Sequence, residues 1–64
     1  MFELTKREMD ILKYLIKGYE NEEIASELFM SKHTVKAHVS SILRKLHAKN
    51  RAGALYIAMR NNLL

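Results

Sequence analysis

Apolar residues recur at helical spacing in four stretches of the chain, and short polar breaks separate these stretches. The first stretch follows Thr5 and Glu8, which have the spacing of a capping box, and it stops near Gly18, a residue type that commonly ends helices. The other three stretches each begin at a residue type that caps helix N-termini: Asn21, Ser31 and Asn50. The pattern predicts four helices, at about residues 6–17, 21–28, 32–46 and 51–61.

The predicted connections are short, which favours an all-α fold, a compact four-helix bundle-like domain that spans residues 1–64. A short second helix, a turn of about three residues and a longer third helix have the order of a helix-turn-helix. Ala25 is small at the point where these two helices must approach each other closely, and Val35 and Val39 are placed to fill the space between them.

The residue types present argue against catalysis, metal binding and membrane insertion. The chain contains no Cys, and His33 and His38 stand about 140° apart on a helix, so they are poorly placed to share a metal ion. The second half has neither the Gly-rich elbow nor the acidic partner that a nucleophilic triad needs. No apolar run reaches membrane-span length, and no signal pattern is present. We expect no enzymatic activity, metal, cofactor, small-molecule ligand or membrane association, and a cytoplasmic location.

Charge is divided unequally along the chain. Residues 1–27 contain all seven acidic residues and four basic ones, for a net charge of −3. Residues 28–64 contain seven basic residues, no acidic residue and all three His, for a net charge of +7. With no carboxylate in the same segment, these cations are expected to lack an intramolecular partner and to meet either solvent or an external anion. A polyanionic partner is the favoured interpretation.

The third predicted helix has the most informative surface. Its apolar residues fall within a sector of roughly 100°, and the opposite sector is polar, basic and rich in small side chains. Such a helix fits the major groove of DNA, and small residues let its backbone approach the base edges. The candidate DNA contacts on this helix and at its N-terminus are Ser31, His33, Thr34, Lys36, Ala37, Ser40, Ser41 and Arg44.

Among these residues, Lys36 is the first candidate for donating to a base or a phosphate, and its alternative is an ordinary exposed lysine. His38 lies at the edge of the apolar sector, where partial burial and a phosphate contact are equally open. Lys45, Lys49 and Arg51 stand near the end of the third helix and in the following loop, where they are expected to clamp the phosphate backbone. Arg51 has a structural alternative, which is to hold the loop through carbonyl groups.

Four motifs follow one another along nearly the whole chain: T-x-R-E from Thr5, N-x-E-I-A from Asn21, T-V-K-x-H from Thr34 and K-L-x-x-x-x-R from Lys45. In these motifs the chain resembles the LuxR/GerE/NarL-type effector domain of bacterial transcription regulators. The resemblance implies a third helix that enters the major groove and a fourth helix that dimerises. The chain departs from the usual family residues at Met30, Ala48 and Asn62.

The fourth predicted helix is apolar on two sides, which indicates two burial partners. A second copy of the chain can cover one side through Ala52, Tyr56 and Met59, with the partner copy contributing the same patch. The alternative is that Tyr56 and Met59 pack on Tyr14 or on the terminal residues Leu63 and Leu64. The expected partners are double-stranded DNA and a second copy of the chain, with RNA polymerase as a further candidate.

A protein-interaction module is the competing hypothesis for the function. Its surfaces are the apolar fourth helix and an acidic patch formed by Glu20, Glu22, Glu23 and Glu27. Non-specific binding to RNA or to the nucleoid is disfavoured, because the two Phe and three Tyr form no obvious stacking platform in the basic half. A stand-alone regulator and the effector part of a longer one both fit the sequence.

Overall fold

The computed structural model describes residues 2–63. Within this range the chain forms four helices and no strand, which confirms the predicted all-α fold. The helices are α1 (Lys6–Ile16), α2 (Asn21–Leu28), α3 (Lys32–Lys45) and α4 (Arg51–Arg60). α1, α3 and α4 each end one residue earlier than the apolar pattern indicates. None of these helices is both long enough and apolar enough to span a membrane.

Local hydrogen bonds at the N-termini explain where the helices begin. The hydroxyl of Thr5 accepts a hydrogen bond from the backbone N–H of Glu8 at 3.1 Å, and the Glu8 carboxylate accepts one from the N–H of Thr5 at 2.8 Å. These two bonds complete the capping box that the sequence indicates. Ser31 caps α3 through the N–H of Thr34 at 3.0 Å, and Asn50 caps α4 through an equivalent bond.

The second helix has the predicted bounds, but its N-cap residue differs from the prediction. Its N-cap is Glu20, whose backbone N–H donates to the Glu23 carboxylate at 2.7 Å, and Asn21 is already helical. Asn21 does not cap the helix, because its side-chain oxygen instead accepts a hydrogen bond from Arg51. The prediction was therefore wrong by one residue, for a reason that lies 30 residues away along the chain.

The hydrophobic core lies around α3, which packs against each of the other three helices. Its residues Val35 and Ile42 have no exposed surface, and Leu46 follows just beyond the helix. The other helices contribute Ile11, Leu12, Leu15, Ile24, Ala25, Ala54 and Ala58. The packing fixes one side of α3 against the rest of the molecule and leaves the opposite side free.

Four positions carry left-handed backbone conformations that end or follow helices. Gly18 (φ 90°) and Asn62 (φ 53°) are residue types suited to this conformation. His47 (φ 58°) is a residue type that tolerates it, whereas Phe29 (φ 56°) is a bulky residue in which it is rare, and neither position was predicted. Phe29 ends α2 with 96% of its surface exposed, so the sharp turn into α3 forms without burying this aromatic ring.

Candidate nucleic-acid interface

The free side of α3 collects most of the predicted DNA contacts on one continuous surface. Val35, Val39 and Ile42 are buried on the inner side, which leaves the opposite side of the helix facing outward. The predicted residues that are exposed on α3 and at its N-terminus are Ser31, His33, Thr34, Lys36, Ala37, Ser40 and Arg44, and Lys49 is exposed in the following loop. His38 is half-buried, in agreement with the structural alternative for this residue.

The N-terminus of α3 is already organised by its own cap. The Ser31 hydroxyl donates to Oγ1 of Thr34 at 2.8 Å and accepts from the Thr34 N–H at 3.0 Å. Both residues remain exposed. The positive end of the helix dipole therefore faces solvent in a fixed geometry, which suits a phosphate group.

Ser41 and Lys45 do not belong to the exposed side of α3. The Ser41 hydroxyl donates to Oε2 of Glu8 at 2.6 Å, and Lys45 Nζ donates to Oε1 of Glu8 at 2.8 Å. The prediction that Ser41 lies on the outer sector of the helix is corrected by this contact, because both side chains point to α1. A DNA contact by either residue stays a prediction. Only 4% of Glu8 is exposed, so the carboxylate is an internal anchor for α3.

The same contacts control the ionisation of Glu8. Burial alone raises the pKa of this carboxyl group. Hydrogen bonds from Lys45, Ser41 and the backbone of Thr5, together with the charge of Lys45, outweigh burial and lower the pKa to about 2 from its usual 4.5. Glu8 is therefore ionised at neutral pH and neutralises one cation of the basic segment.

The expectation that cations in residues 28–64 lack intramolecular partners is wrong for two of them. Lys45 pairs with Glu8, and Lys32 lies 3.6 Å from Glu22 in an exposed ion pair. Both carboxylates come from the acidic half, which folds back against the basic half. Among residues 2–63, no carboxylate lies within 4.0 Å of the remaining basic side chains of this segment, which are Lys36, Arg44, Lys49, Arg51 and Arg60.

Arg51 is held by protein acceptors in a half-buried position. Its Nη2 atom donates to the carbonyl oxygen of Tyr19 at 3.0 Å and to Oδ1 of Asn21 at 3.1 Å. This geometry matches the structural alternative, in which the arginine holds a loop through carbonyl groups. A phosphate contact by Arg51 stays a prediction.

The outer side of α4 is a separate surface. Tyr56 and Met59 leave 63% and 69% of their surfaces exposed, and Ala52 is also exposed. Because of this exposure, Tyr56 and Met59 are not covered by Tyr14 or Leu63, and Leu64 lies outside the described residues. The opposite side of α4 is buried through Ala54 and Ala58.

The remaining charged and metal-binding residue types bear on two kinds of candidate site, a metal site and an acidic patch. Residues 2–63 contain no group of three His, Asp or Glu side chains that could hold a metal ion. Glu20, Glu22, Glu23 and Glu27 are all exposed on or beside α2, which makes that helix the acidic neighbour of the basic α3.

The functional residues that the sequence did not reveal are Glu8, as the anchor of α3, and the acceptors for Arg51. Glu8 carries only the signal of a capping box, because its two side-chain partners lie 33 and 37 residues away. The carbonyl group of Tyr19 has no sequence signal, since every residue carries one.

Comparisons with known proteins agree with this geometry. Residues 3–58 match the luxR family of bacterial regulatory proteins, also called GerE. The response regulator protein VraR of Staphylococcus aureus is 49% identical over 61 residues, which cover 95% of this chain and 29% of VraR. The chain therefore spans less than a third of the length of such curated relatives.

Two solved structures share the fold over nearly the whole chain. The response regulator ChrA of a heme-sensing two-component system superposes with a TM-score of 0.93 at 38% identity, covering 100% of this chain and 32% of ChrA. The transcription factor GerE superposes with a TM-score of 0.85 at 32% identity, covering 92% of this chain and 88% of GerE. The chain belongs to the LuxR family and is a helix-turn-helix DNA-binding domain of a transcription regulator.

Proposed function

We propose that the domain binds double-stranded DNA in a sequence-specific manner, with α3 in the major groove and two copies paired through α4. The observation that carries the proposal is the exposed side of α3, where Lys36 and Arg44 have no carboxylate partner within residues 2–63. As the curated relatives are response regulators, we further infer that the domain is the output element of a signal-responsive regulator.

The arrangement of side chains on α3 supports entry into a groove. Ala37 and Ser40 are small and exposed between Lys36 and Arg44, so the helix backbone can approach base edges there. Lys36 and Arg44 are eight positions apart, or roughly 12 Å along the helix, so both donors reach one stretch of DNA. The free N-terminus of α3 and Lys49 add phosphate contacts at the two ends of this surface.

The outer side of α4 supports pairing of two copies. Tyr56 and Met59 are large side chains, and the described part of the chain leaves most of their surface uncovered. A two-fold contact through the same patch on each copy would cover them and place two recognition helices on one side of the DNA. The expected DNA site is then a pair of half-sites about one helical turn apart.

Binding measurements on selected and random DNA test the proposal. The preferred sequence is first enriched from a random pool, and its affinity is then compared with that of a shuffled duplex between 50 and 200 mM salt. We expect tighter binding to the selected duplex and an affinity that falls steeply with salt, because phosphate contacts release counterions. Equal affinity for both duplexes would contradict sequence-specific recognition.

The competing hypothesis, a protein-interaction module, predicts a different result in these binding experiments. Its acidic surface on α2 is formed by exposed carboxylates, and a basic protein partner such as a subunit of RNA polymerase would meet it there. A domain that protects no DNA but forms a stable complex with a protein partner would favour this hypothesis over DNA recognition.

A further inference from the structure

Arg51 joins the first turn of α4 to the far end of the helix-turn-helix. Its two hydrogen bonds end on Tyr19 and Asn21, which flank the N-cap of α2. These acceptors lie 32 and 30 residues earlier in the chain. One guanidinium group thus ties the beginning of α4 to the beginning of α2.

The apolar packing of α4 is less directional than this polar link. The fully buried residues of α4 are Ala54 and Ala58, whose methyl groups allow close approach, and Leu55 and Ile57 pack against the core while staying half-buried. α4 also contacts α1 and α3 less extensively than those helices contact each other. Within residues 2–63, and apart from the bonds that Asn50 and Asn61 make at the two ends of α4, the bonds from Arg51 are the only side-chain hydrogen bonds that link α4 to another segment of the chain.

We propose that Arg51 is a positioning residue that fixes the direction of α4 relative to α2 and α3, and thereby selects the half-site spacing that the dimer binds. The inference rests on the proposed pairing through α4. In that dimer, a change in the angle between α4 and α3 moves the α3 helices of the two copies relative to each other. A tilt of about 10° across the 20 Å width of the molecule displaces its far side by roughly 3.4 Å, the rise of one base pair.

A phosphate contact explains the position of Arg51 less well. Nη2 already donates to two protein acceptors, and the side chain is half-buried. It lines an open hollow of about 370 Å³ in which the charges of two carboxylates balance those of Arg51 and Lys32, so no excess positive charge is left there for a phosphate. The residues around this hollow are Glu20, Asn21, Glu22, Lys32 and Arg51.

Two variants separate the positioning role from the role of a charge. Arg51→Lys keeps the cation but loses the planar group that reaches both acceptors. Asn21→Ala removes one acceptor and changes no charge. Lys49→Ala is the matched control, because Lys49 is an exposed cation of the neighbouring loop.

Each protein is measured against the selected DNA as a single half-site and as paired half-sites whose separation changes by one base pair at a time. For Arg51→Lys and Asn21→Ala we expect single half-site affinity within about twofold of the wild type. At the spacing that the wild type prefers, we expect at least tenfold weaker binding and a flatter dependence on spacing. Lys49→Ala should weaken binding by the same factor for each half-site, whether single or paired, and keep the preferred spacing.

The outcomes distinguish this inference from the proposed dimer. If both variants weaken single and paired sites equally, or keep the wild-type spacing preference, Arg51 does not select spacing and the inference is wrong. If the wild type itself shows no spacing preference, pairing through α4 is wrong, whatever the variants do. Thermal unfolding is followed in parallel, and should Arg51→Lys fail to fold, Asn21→Ala decides the question.

Discussion

Glu8 performs two tasks with a single carboxylate. It completes the capping box of α1 through the N–H of Thr5, and it receives Ser41 and Lys45 from α3. The chain thereby uses one buried charge to start α1 and to anchor α3. Since burial of an unpaired charge is costly, all of these donors are needed together.

Replacing Glu8 by Gln should destabilise the fold. The amide cannot balance the charge of Lys45, and we expect the free energy of unfolding at pH 7 to fall by about 2–4 kcal/mol. Lys45 is one-third exposed and can turn to water, which keeps the loss below the upper end for buried pairs. Urea unfolding measures the effect. The control is Asp10→Asn, which removes a surface pair at 4.0 Å between a half-buried carboxylate and the exposed Lys6 and should cost less than about 0.5 kcal/mol. Equal losses in the two variants would contradict the anchoring role.

The lowered pKa of Glu8 makes this contribution depend on pH. The folded-state pKa is about 2 and the usual value is 4.5, so the ionised group stabilises the fold fully above about pH 4.5. The contribution decreases as the pH falls from 4.5 towards 2, by roughly 3 kcal/mol in total. Unfolding of the wild type and of Glu8→Gln across this range should show their stabilities converge. A difference that stays constant down to pH 2 would show that the carboxylate is not held in its charged form.

Phe29 adopts a left-handed backbone conformation, which is unfavourable for a bulky residue. Its exposed ring gains no burial that would offset this strain. With φ at 56° and 96% of its surface exposed, replacement by Gly should raise the free energy of unfolding by about 0.5–1 kcal/mol. Phe29→Ala is the matched control, because it removes the ring but keeps the Cβ atom. Thermal unfolding of both variants measures the difference. If Ala stabilises as much as Gly, the exposed ring and not the backbone is responsible.

At the scale of the elements, sequence patterns were informative wherever the cause is local. The caps at Thr5, Ser31 and Asn50 and the inner side of α3 follow from residues within a few positions of one another. The patterns could not reveal contacts between distant segments. The links from Glu8 to α3 and from Arg51 to α2 depend on how the helices pack, and they changed the assignment of several candidate site residues.

Substitution of Lys36, on the exposed side of α3, tests the proposed DNA contacts directly. Lys36→Ala should weaken binding to the selected DNA by about 1–3 kcal/mol if the lysine reaches a base edge. Stability should be unchanged, because Lys36 is exposed and has no carboxylate partner within the described residues. Lys13→Ala, which removes an exposed cation from α1, is the control and should have a much smaller effect. Fluorescence anisotropy with labelled duplexes measures both. A change within experimental error for Lys36→Ala would remove this residue from the site.

At the scale of the whole molecule, the two halves of the chain have opposite charge but are not electrically independent. Glu8 of α1 and Glu22 of α2 pair with cations of α3. The acidic half therefore neutralises part of the charge of the basic half. Within residues 2–63, the cations of the basic segment that lack carboxylate partners then lie on the outer side of α3, in the loop after it and on α4. Lys36 and Arg44 thus keep their charge unbalanced on the outer side of α3, which is where the proposal places DNA.

The pairing of two copies is the property of the whole molecule that a single substitution tests best. Met59 is 69% exposed on the outer side of α4, so Met59→Glu should leave the fold intact and place two like charges in the proposed contact. We expect binding to paired half-sites to weaken by at least tenfold, while binding to a single half-site changes by less than threefold. Ser26→Glu adds the same charge to an exposed position of α2 and controls for long-range repulsion of DNA. Gel-shift titrations on the two duplexes, with the stoichiometry of each complex from analytical ultracentrifugation, provide the measurement. If Met59→Glu and Ser26→Glu weaken paired sites to the same extent, the outer side of α4 is not the surface through which two copies meet.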